Sequence, residues 1–182
     1  MPDYKPDSTV NKLILLFIFD KMEIPLTENS IMDICTNKNS WLKYMECKEY
    51  LSQLVNAKLV YIIEHHGNGT LYSITYEGRS CLSMFFQQIP ISIREDITQF
   101  SKNNIQRVKR NQEYLAEYQK MPDGSYQNSF SIKDPHLQQN IFEVKMKLDN
   151  RSDAIDACKK WVEKAPEIYE YIFISLLTNE QD

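Results

Sequence analysis

Glycine is scarce in this chain, which has four glycines among its 182 residues. A phosphate-binding loop or a dinucleotide-binding turn needs closely spaced glycines, because its backbone N–H groups must approach phosphate oxygens. The positions Gly67, Gly69, Gly78 and Gly124 form neither pattern. The sequence therefore argues against a classical nucleotide-dependent enzyme.

Metal-binding and catalytic motifs are also missing. The four cysteines form no CxxC pair and have no histidine at ligand spacing, so we expect buried, reduced thiols at Cys35, Cys47, Cys81 and Cys158. His65 and His66 are adjacent, and neighbouring side chains of an extended strand point to opposite faces and cannot hold one ion together. We expect no metal, no cofactor and no catalytic residue, and therefore a protein that is not an enzyme.

The chain has neither a basic excess nor a long hydrophobic run. Its 21 Lys and Arg residues stand against 25 Asp and Glu residues, so contact with DNA would have to come from a local basic patch. The apolar run Leu13–Phe19 is too short for a membrane-spanning helix, which needs about 20 residues, and no Ala-x-Ala cleavage site accompanies it. These features predict a cytoplasmic protein without a membrane partner.

Helical periodicity followed by strand-like alternation marks the first half of the chain. The spacing predicts three helices, over Ser8–Met22, over Glu28–Thr36, and from between residues 42 and 46 to near Ala57. The inward face of the third helix is predicted to hold Tyr44, Cys47, Leu51, Leu54 and Val55. A hairpin follows, with strands at Leu59–Glu64 and Thr70–Thr75, and then Gly78 is expected to let the chain bend into a helix that Pro90 ends. Three helices and a hairpin in this order are typical of a winged helix-turn-helix domain.

The residues themselves resemble a known group of regulators. The stretch Tyr44–Leu54, then Lys58-Leu59-Val60, then Tyr72-Ser73-Ile74-Thr75-Tyr76-Glu77-Gly78, then Leu82 and Phe85, is similar to winged-helix regulators of the MarR and PadR type. The continuation Ile89–Arg94 resembles an uncharacterised bacterial family with a predicted winged helix and an added C-terminal domain. The resemblance implies that the third helix reads DNA and that the hairpin is the wing.

The second half predicts a separate α+β domain. Ser92-Ile93-Arg94-Glu95 has the pattern of a capping box, so we divide the chain into residues 1–90 and 91–182. The predicted elements are a helix to about Arg110, antiparallel strands at Tyr114–Lys120, Tyr126–Ile132 and Ile141–Leu148, and a helix over Ser152–Leu177 that Pro166 breaks or kinks. In the third strand Phe142, Val144, Met146 and Leu148 are predicted to face the core.

The sequence thus predicts a dimeric DNA-binding transcriptional regulator. The predicted DNA contacts are Lys43, Lys48, Ser52 and Gln53 in the major groove, His65, His66, Asn68 and Thr70 at the wing, and Lys38 and Lys58 on phosphates. A small-molecule or protein effector would bind the C-terminal domain. The dimer seam would lie on the helical stripe at 152–177 or on the polar-faced sheet, with the helix at 93–110 as a further contributor.

A different class of function also fits the sequence. The acidic sequence pI of about 5.5, together with Glu46 and Glu49 on the predicted recognition helix, is compatible with a protein-interaction adaptor that keeps the winged-helix scaffold but binds a protein partner.

Overall fold

The fold is α+β, as the sequence predicts, and the chain divides into two compact units between Val108 and Lys109. The computed structural model describes residues 8–65, 69–134 and 139–177. Within these ranges it contains six α-helices and two three-stranded antiparallel sheets. The sequence places the domain division near Pro90, whereas buried residues of the following helix, Ile97 and Val108, belong to the core of the first unit.

The first unit is built from helices around a small sheet. Its elements are α1 (Ser8–Met22), β1 (Leu26–Thr27), α2 (Glu28–Met32) with a π-helical continuation (Asp33–Lys38), α3 (Tyr44–Asn56), β2 (Val60–His65), β3 (Gly69–Ile74), α4 (Tyr76–Phe85) with a 3₁₀ turn (Phe86–Gln88), and residues 91–108 of α5 (Ile91–Glu113). The sheet order is β1-β3-β2.

Helix α1 lies at the centre of this unit. Every residue from Leu13 to Phe19 is buried, so the apolar run that is too short to span a membrane forms a core helix that is apolar on most of its circumference. Phe17 packs edge-on against Phe86, with 5.4 Å between the ring centroids.

Strand β1 was missed because it is two residues long. Leu26 and Thr27 pair with Tyr72 and Leu71 of β3, so the strand exists through partners 46 and 44 residues away rather than through its own pattern. The Thr27 hydroxyl also accepts a hydrogen bond from the Ser30 N–H at 3.2 Å, which caps α2.

The second helix is less regular than predicted. The α-helical turns end at Met32, and Asp33–Lys38 continue as a π-helix, whereas the sequence predicts one helix to Thr36. Side-chain donors engage carbonyls in this segment: the Thr36 hydroxyl donates to Met32 O at 2.7 Å and the Asn39 amide donates to Ile34 O at 2.8 Å. Such local hydrogen bonds compete with the regular helical pattern.

Gly78 has a different role from the one predicted. Helix α4 begins at Tyr76, and its cap is Thr75, whose hydroxyl accepts from the Gly78 N–H at 2.9 Å. Gly78 lies in the first turn of the helix, and a Cβ atom there would collide with the Leu59 carbonyl and lie 2.8 Å from Cγ1 of Ile74. Glycine is therefore required by close packing rather than by a bend.

The second unit is a helix on a three-stranded meander. Its elements after α5 are β4 (Tyr114–Lys120), β5 (Tyr126–Lys133), β6 (Asn140–Leu148) and α6 (Arg151–Leu177), and the sheet order is β4-β5-β6. Phe130 and Ile132 of β5 pack with Trp161 and Ala165 of α6. The side-chain amide of Asn128, fully buried, donates to Ala154 O at 2.8 Å, which ties the middle strand to the helix.

Three details of this unit differ from the sequence expectations. Helix α6 continues through Pro166 without a break. The sequence predicts an inward stripe on this helix, formed by Ile155, Cys158, Val162, Ala165, Tyr169, Ile172 and Leu176. Leu176 is 77% exposed, whereas Trp161, which this stripe does not include, is buried. Val144 and Met146 of β6 are 38% and 45% exposed, because α6 packs mainly over β4 and β5 and leaves the edge strand partly uncovered.

Candidate nucleic-acid interface

Helix α3 is held in place by the core of the first unit. Cys47, Tyr50, Leu51 and Leu54 are its buried residues. The loop before it is also anchored, since the Leu42 N–H donates to Cys35 O at 3.1 Å. These contacts fix the helix so that its opposite face is presented at a defined orientation.

The inward face of α3 differs from the prediction at its first turn. Tyr44 was expected inside, but it is 50% exposed, and Tyr50 is buried in its place. Because the helix begins at Tyr44, this residue lies at the end of the helix, where the core no longer covers it. The Lys48 ammonium lies over the Tyr44 ring, 5.4 Å from the centroid.

The outward face carries the predicted contact residues. Lys43, Lys48 and Ser52 are exposed and Gln53 is half-buried. Gln53 does not stand free, because its amide donates to the Glu49 carboxylate at 2.9 Å.

Lys48 is paired with a carboxylate that sequence reasoning missed. Its ammonium lies 2.8 Å from Oε1 of Glu28 at the start of α2. Hydrogen bonding to Glu28, and after it to Tyr44, raises the pKa of Lys48. The cation is therefore held in an ion pair across two helices, and no sequence signal identifies Glu28 because it lies 20 residues away.

A groove runs beside this ion pair. It has a volume of about 470 Å³ and is formed by α2, α3, β2 and β3. Its polar wall includes Lys48, Ser52 and Asn56, and its apolar wall includes Ile62 and Tyr72 of the hairpin. The fold thus brings two of the predicted residues, Lys48 and Ser52, to one concave surface next to the strands.

Other predicted contacts lie apart from this groove. Lys43 caps the start of α3, and Lys58 follows its end in a left-handed turn with φ of 60°. A helix of 13 residues separates them by about 20 Å. A continuous basic stripe is therefore not formed by lysines alone.

The hairpin that the sequence predicts to be a wing is described in part. Strands β2 and β3 pair from Val60↔Ile74 to His65↔Gly69, and Thr70 is half-buried on β3. His66 and Asn68 lie outside the described residues, as do the side chains of His65 and Lys38. Their predicted DNA contacts stay predictions.

The described ranges contain neither a cluster of metal-ligating side chains nor a membrane-spanning helix. Among those residues, no group of three or more His, Cys, Asp or Glu side chains is arranged to hold a metal ion. Within the same part of the chain, no helix is both long enough and apolar enough to cross a lipid bilayer. All four cysteines are free, two of them buried and two half-buried.

Comparison with known proteins identifies the family. A family described as a domain of unknown function (DUF4364) matches residues 11–176. The chain belongs to this family. The match spans both units, as the resemblance of the Ile89–Arg94 segment implies. Neither the curated proteins nor the solved structures contain a match to this DUF4364 chain.

Proposed function

We propose that this DUF4364 protein is a DNA-binding transcriptional regulator whose first unit is a winged helix. The observation that carries the proposal is topological. A short strand between the first two helices joins the hairpin after the third in a sheet of order β1-β3-β2, which is the arrangement of winged-helix domains. In such domains the third helix enters the major groove and the hairpin contacts the backbone or the minor groove.

The polar face of α3 supports this use. Lys43, Lys48 and Ser52 are exposed on a helix whose other face is fixed in the core, so their positions are set before any ligand arrives. Lysines supply sequence-independent attraction to phosphates, whereas side chains such as Gln53 distinguish base edges. The ion pair of Lys48 with Glu28 lowers the net charge of this face and so limits non-specific attraction.

The proposed active form is a homodimer, because one module with few cations makes few phosphate contacts and gains affinity when two copies read neighbouring half-sites. The second unit offers an apolar surface for this purpose. In the C-terminal part of α6 the exposed apolar residues are Ile168, Tyr171, Phe173, Ile174, Leu176 and Leu177. Exposed apolar surface of this extent marks an interaction site.

An adaptor function has one specific observation in its favour. Tyr44 and Met45, at the start of α3, are 50% and 75% exposed. Exposed aromatic and methionine side chains are enriched at protein–protein interfaces. In this alternative the same helix end contacts a protein rather than DNA.

A binding titration separates the two functions. Fluorescence anisotropy of the full chain with a duplex from upstream of its own coding region should give a salt-dependent affinity. Lys43→Gln should weaken binding and lower the slope of log affinity against log salt by about 0.9. The control Lys160→Gln, at an exposed position of α6, should change neither. Absence of salt-dependent binding at any protein concentration would favour the adaptor.

A further inference from the structure

Strand β6 lies at an open edge of the second sheet and carries partly exposed apolar side chains. It has nine residues and pairs with β5 on one side, while its other side has no strand among the described residues. Unpaired N–H and C=O groups along a strand of this length can pair with another strand. Its apolar side chains Val144 and Met146 are 38% and 45% exposed, so one face of this edge strand is only partly covered in the single chain.

The central part of the β6 sequence is complementary to itself in one antiparallel register. A two-fold axis at Val144, the central residue of Asn140–Leu148, places Val144 opposite its own copy. The same axis places Glu143 opposite Lys145 and Phe142 opposite Met146. Residues directly opposite in an antiparallel pair share a face, so between Phe142 and Met146 apolar residues meet apolar residues and each Glu143 meets a Lys145. The outer positions are not matched in this way, because the same axis places Ile141 opposite Lys147 and Asn140 opposite Leu148.

The charges at the centre of this edge are of both signs. Edge strands that avoid association carry charged side chains, especially lysine, or proline, and β6 has Lys145 and Lys147 together with Glu143 but no proline. Here Lys145 lies 3.4 Å from Glu143 within the chain, and both side chains are about half exposed. In the symmetric register each of these groups gains a partner of opposite sign on the second copy, and two equivalent pairs form.

The apolar part of α6 begins beside the same edge. Phe142 of β6 packs against Tyr169 with 5.7 Å between the ring centroids, and Tyr169 in turn contacts Phe173. The exposed ring of Phe173 is therefore continuous with the uncovered face of β6. A partner that binds along the edge strand would cover both the exposed face of β6 and the exposed apolar surface of α6 next to it.

We propose that β6 pairs with β6 of a second copy about a two-fold axis at Val144, forming one antiparallel sheet of six strands across the dimer. The inference rests on the homodimer of the proposed function and specifies its seam. It identifies the occupant of the edge as the same chain, because the order of charged and apolar residues from Phe142 to Met146 is complementary to itself in this register.

Cysteine cross-linking tests the axis directly. Directly opposite residues lie about 4.5–5.5 Å apart between Cα atoms, which is within disulfide range. With diamide, which takes up the two electrons and two protons of the thiols, Val144→Cys should give a covalent dimer. Met146→Cys is the matched control, because the axis places its two copies about 13 Å apart along the strands. The unsubstituted chain controls for the native cysteines.

Charge reversal provides a second test of the β6 seam, and this test does not depend on thiol chemistry. Glu143→Lys and Lys145→Glu should each raise the dimer dissociation constant at least about tenfold, measured by analytical ultracentrifugation. The double variant, with both exchanges, should restore dimerisation because the opposite pairs reform with reversed order. Circular dichroism verifies that each variant is folded.

The outcomes are distinguishable. Two outcomes would contradict the β6 seam without contradicting the homodimer. One is a dimer that cross-links at position 146 but not at 144, and the other is a dimer whose dissociation constant is unchanged by both charge reversals. A full-length chain that stays monomeric overturns the homodimer and the seam together, while DNA binding is measured separately.

Discussion

At the scale of single residues, Gly78 shows how the packing of a helix against a turn restricts the choice of side chain. Gly78→Ala places a Cβ atom against the Leu59 carbonyl and near Ile74. Overpacking against backbone should destabilise the first unit by about 1–3 kcal/mol, measured by thermal or urea denaturation. Ser83→Ala, an exposed position of the same helix, is the control, and equal stability of the two variants would contradict the close contact.

Asp123 provides a residue-scale prediction about pH. The Lys147 ammonium, 2.6 Å away, and then Ser125 hold the pKa of the Asp123 carboxyl well below its usual range. A carboxyl whose folded pKa is lowered stabilises the fold above its unfolded pKa of about 3.9, and this contribution is lost as the pH falls further.

The matching variant is Asp123→Asn. It should lower the urea midpoint at neutral pH, and the difference from the unsubstituted chain should shrink as the pH falls below about 4. Asp156→Asn, at an exposed position of α6, serves as the control. A difference that stays constant down to about pH 2 would show that the ion pair does not contribute.

At the scale of elements, the contact between α2 and α3 sets how much net charge the outward face of α3 presents. Glu28→Gln removes the carboxylate that holds Lys48 at 2.8 Å. If α3 contacts DNA, the freed ammonium and the loss of a negative charge should tighten binding roughly two- to fivefold, the range of a solvent-exposed ion pair. The measurement is anisotropy at fixed salt.

Two controls accompany this variant. Glu163→Gln removes the same charge from an exposed position of α6 and should leave the affinity unchanged. Glu28→Gln combined with Lys48→Gln should lose the gain. Tightening by Glu163→Gln to the same degree would mean that overall charge, rather than the α3 surface, controls binding.

At the scale of the whole molecule, we predict a homodimer through the second unit. Light scattering of the full chain at tens of micromolar should give twice the mass of one 21.5 kDa chain. Leu176→Glu puts a charge on a side chain that is 77% exposed, so it should weaken the dimer without disturbing the core. Lys160→Glu, at an exposed polar position of the same helix, should leave the dimer intact, and a monomeric unsubstituted chain would refute the prediction.

The family match covers both units of the chain. Because residues 11–176 match as one family, the two units occur together in its members. The proposed function, in which the first unit contacts DNA and the second unit joins two copies, requires both units in one chain.

The sequence by itself determined the elements that depend on local periodicity. Helix α1, helix α3, the hairpin strands β2 and β3 and the three strands of the second sheet lie within a few residues of their predicted bounds, because apolar spacing and turn residues report which face a segment buries. The exposure of Lys43, Lys48 and Ser52 followed from the same spacing. The α+β class followed from the order of these elements.

Only the tertiary structure decided the features that join distant residues. Strand β1 exists because β3 pairs with it, Lys48 is neutralised by a carboxylate on another helix, and Gly78 is required by a carbonyl 19 residues earlier. The partial exposure of Val144 also depends on where α6 crosses the sheet. A periodic pattern shows which face of a segment is apolar, but the packing of other elements decides whether that face is covered.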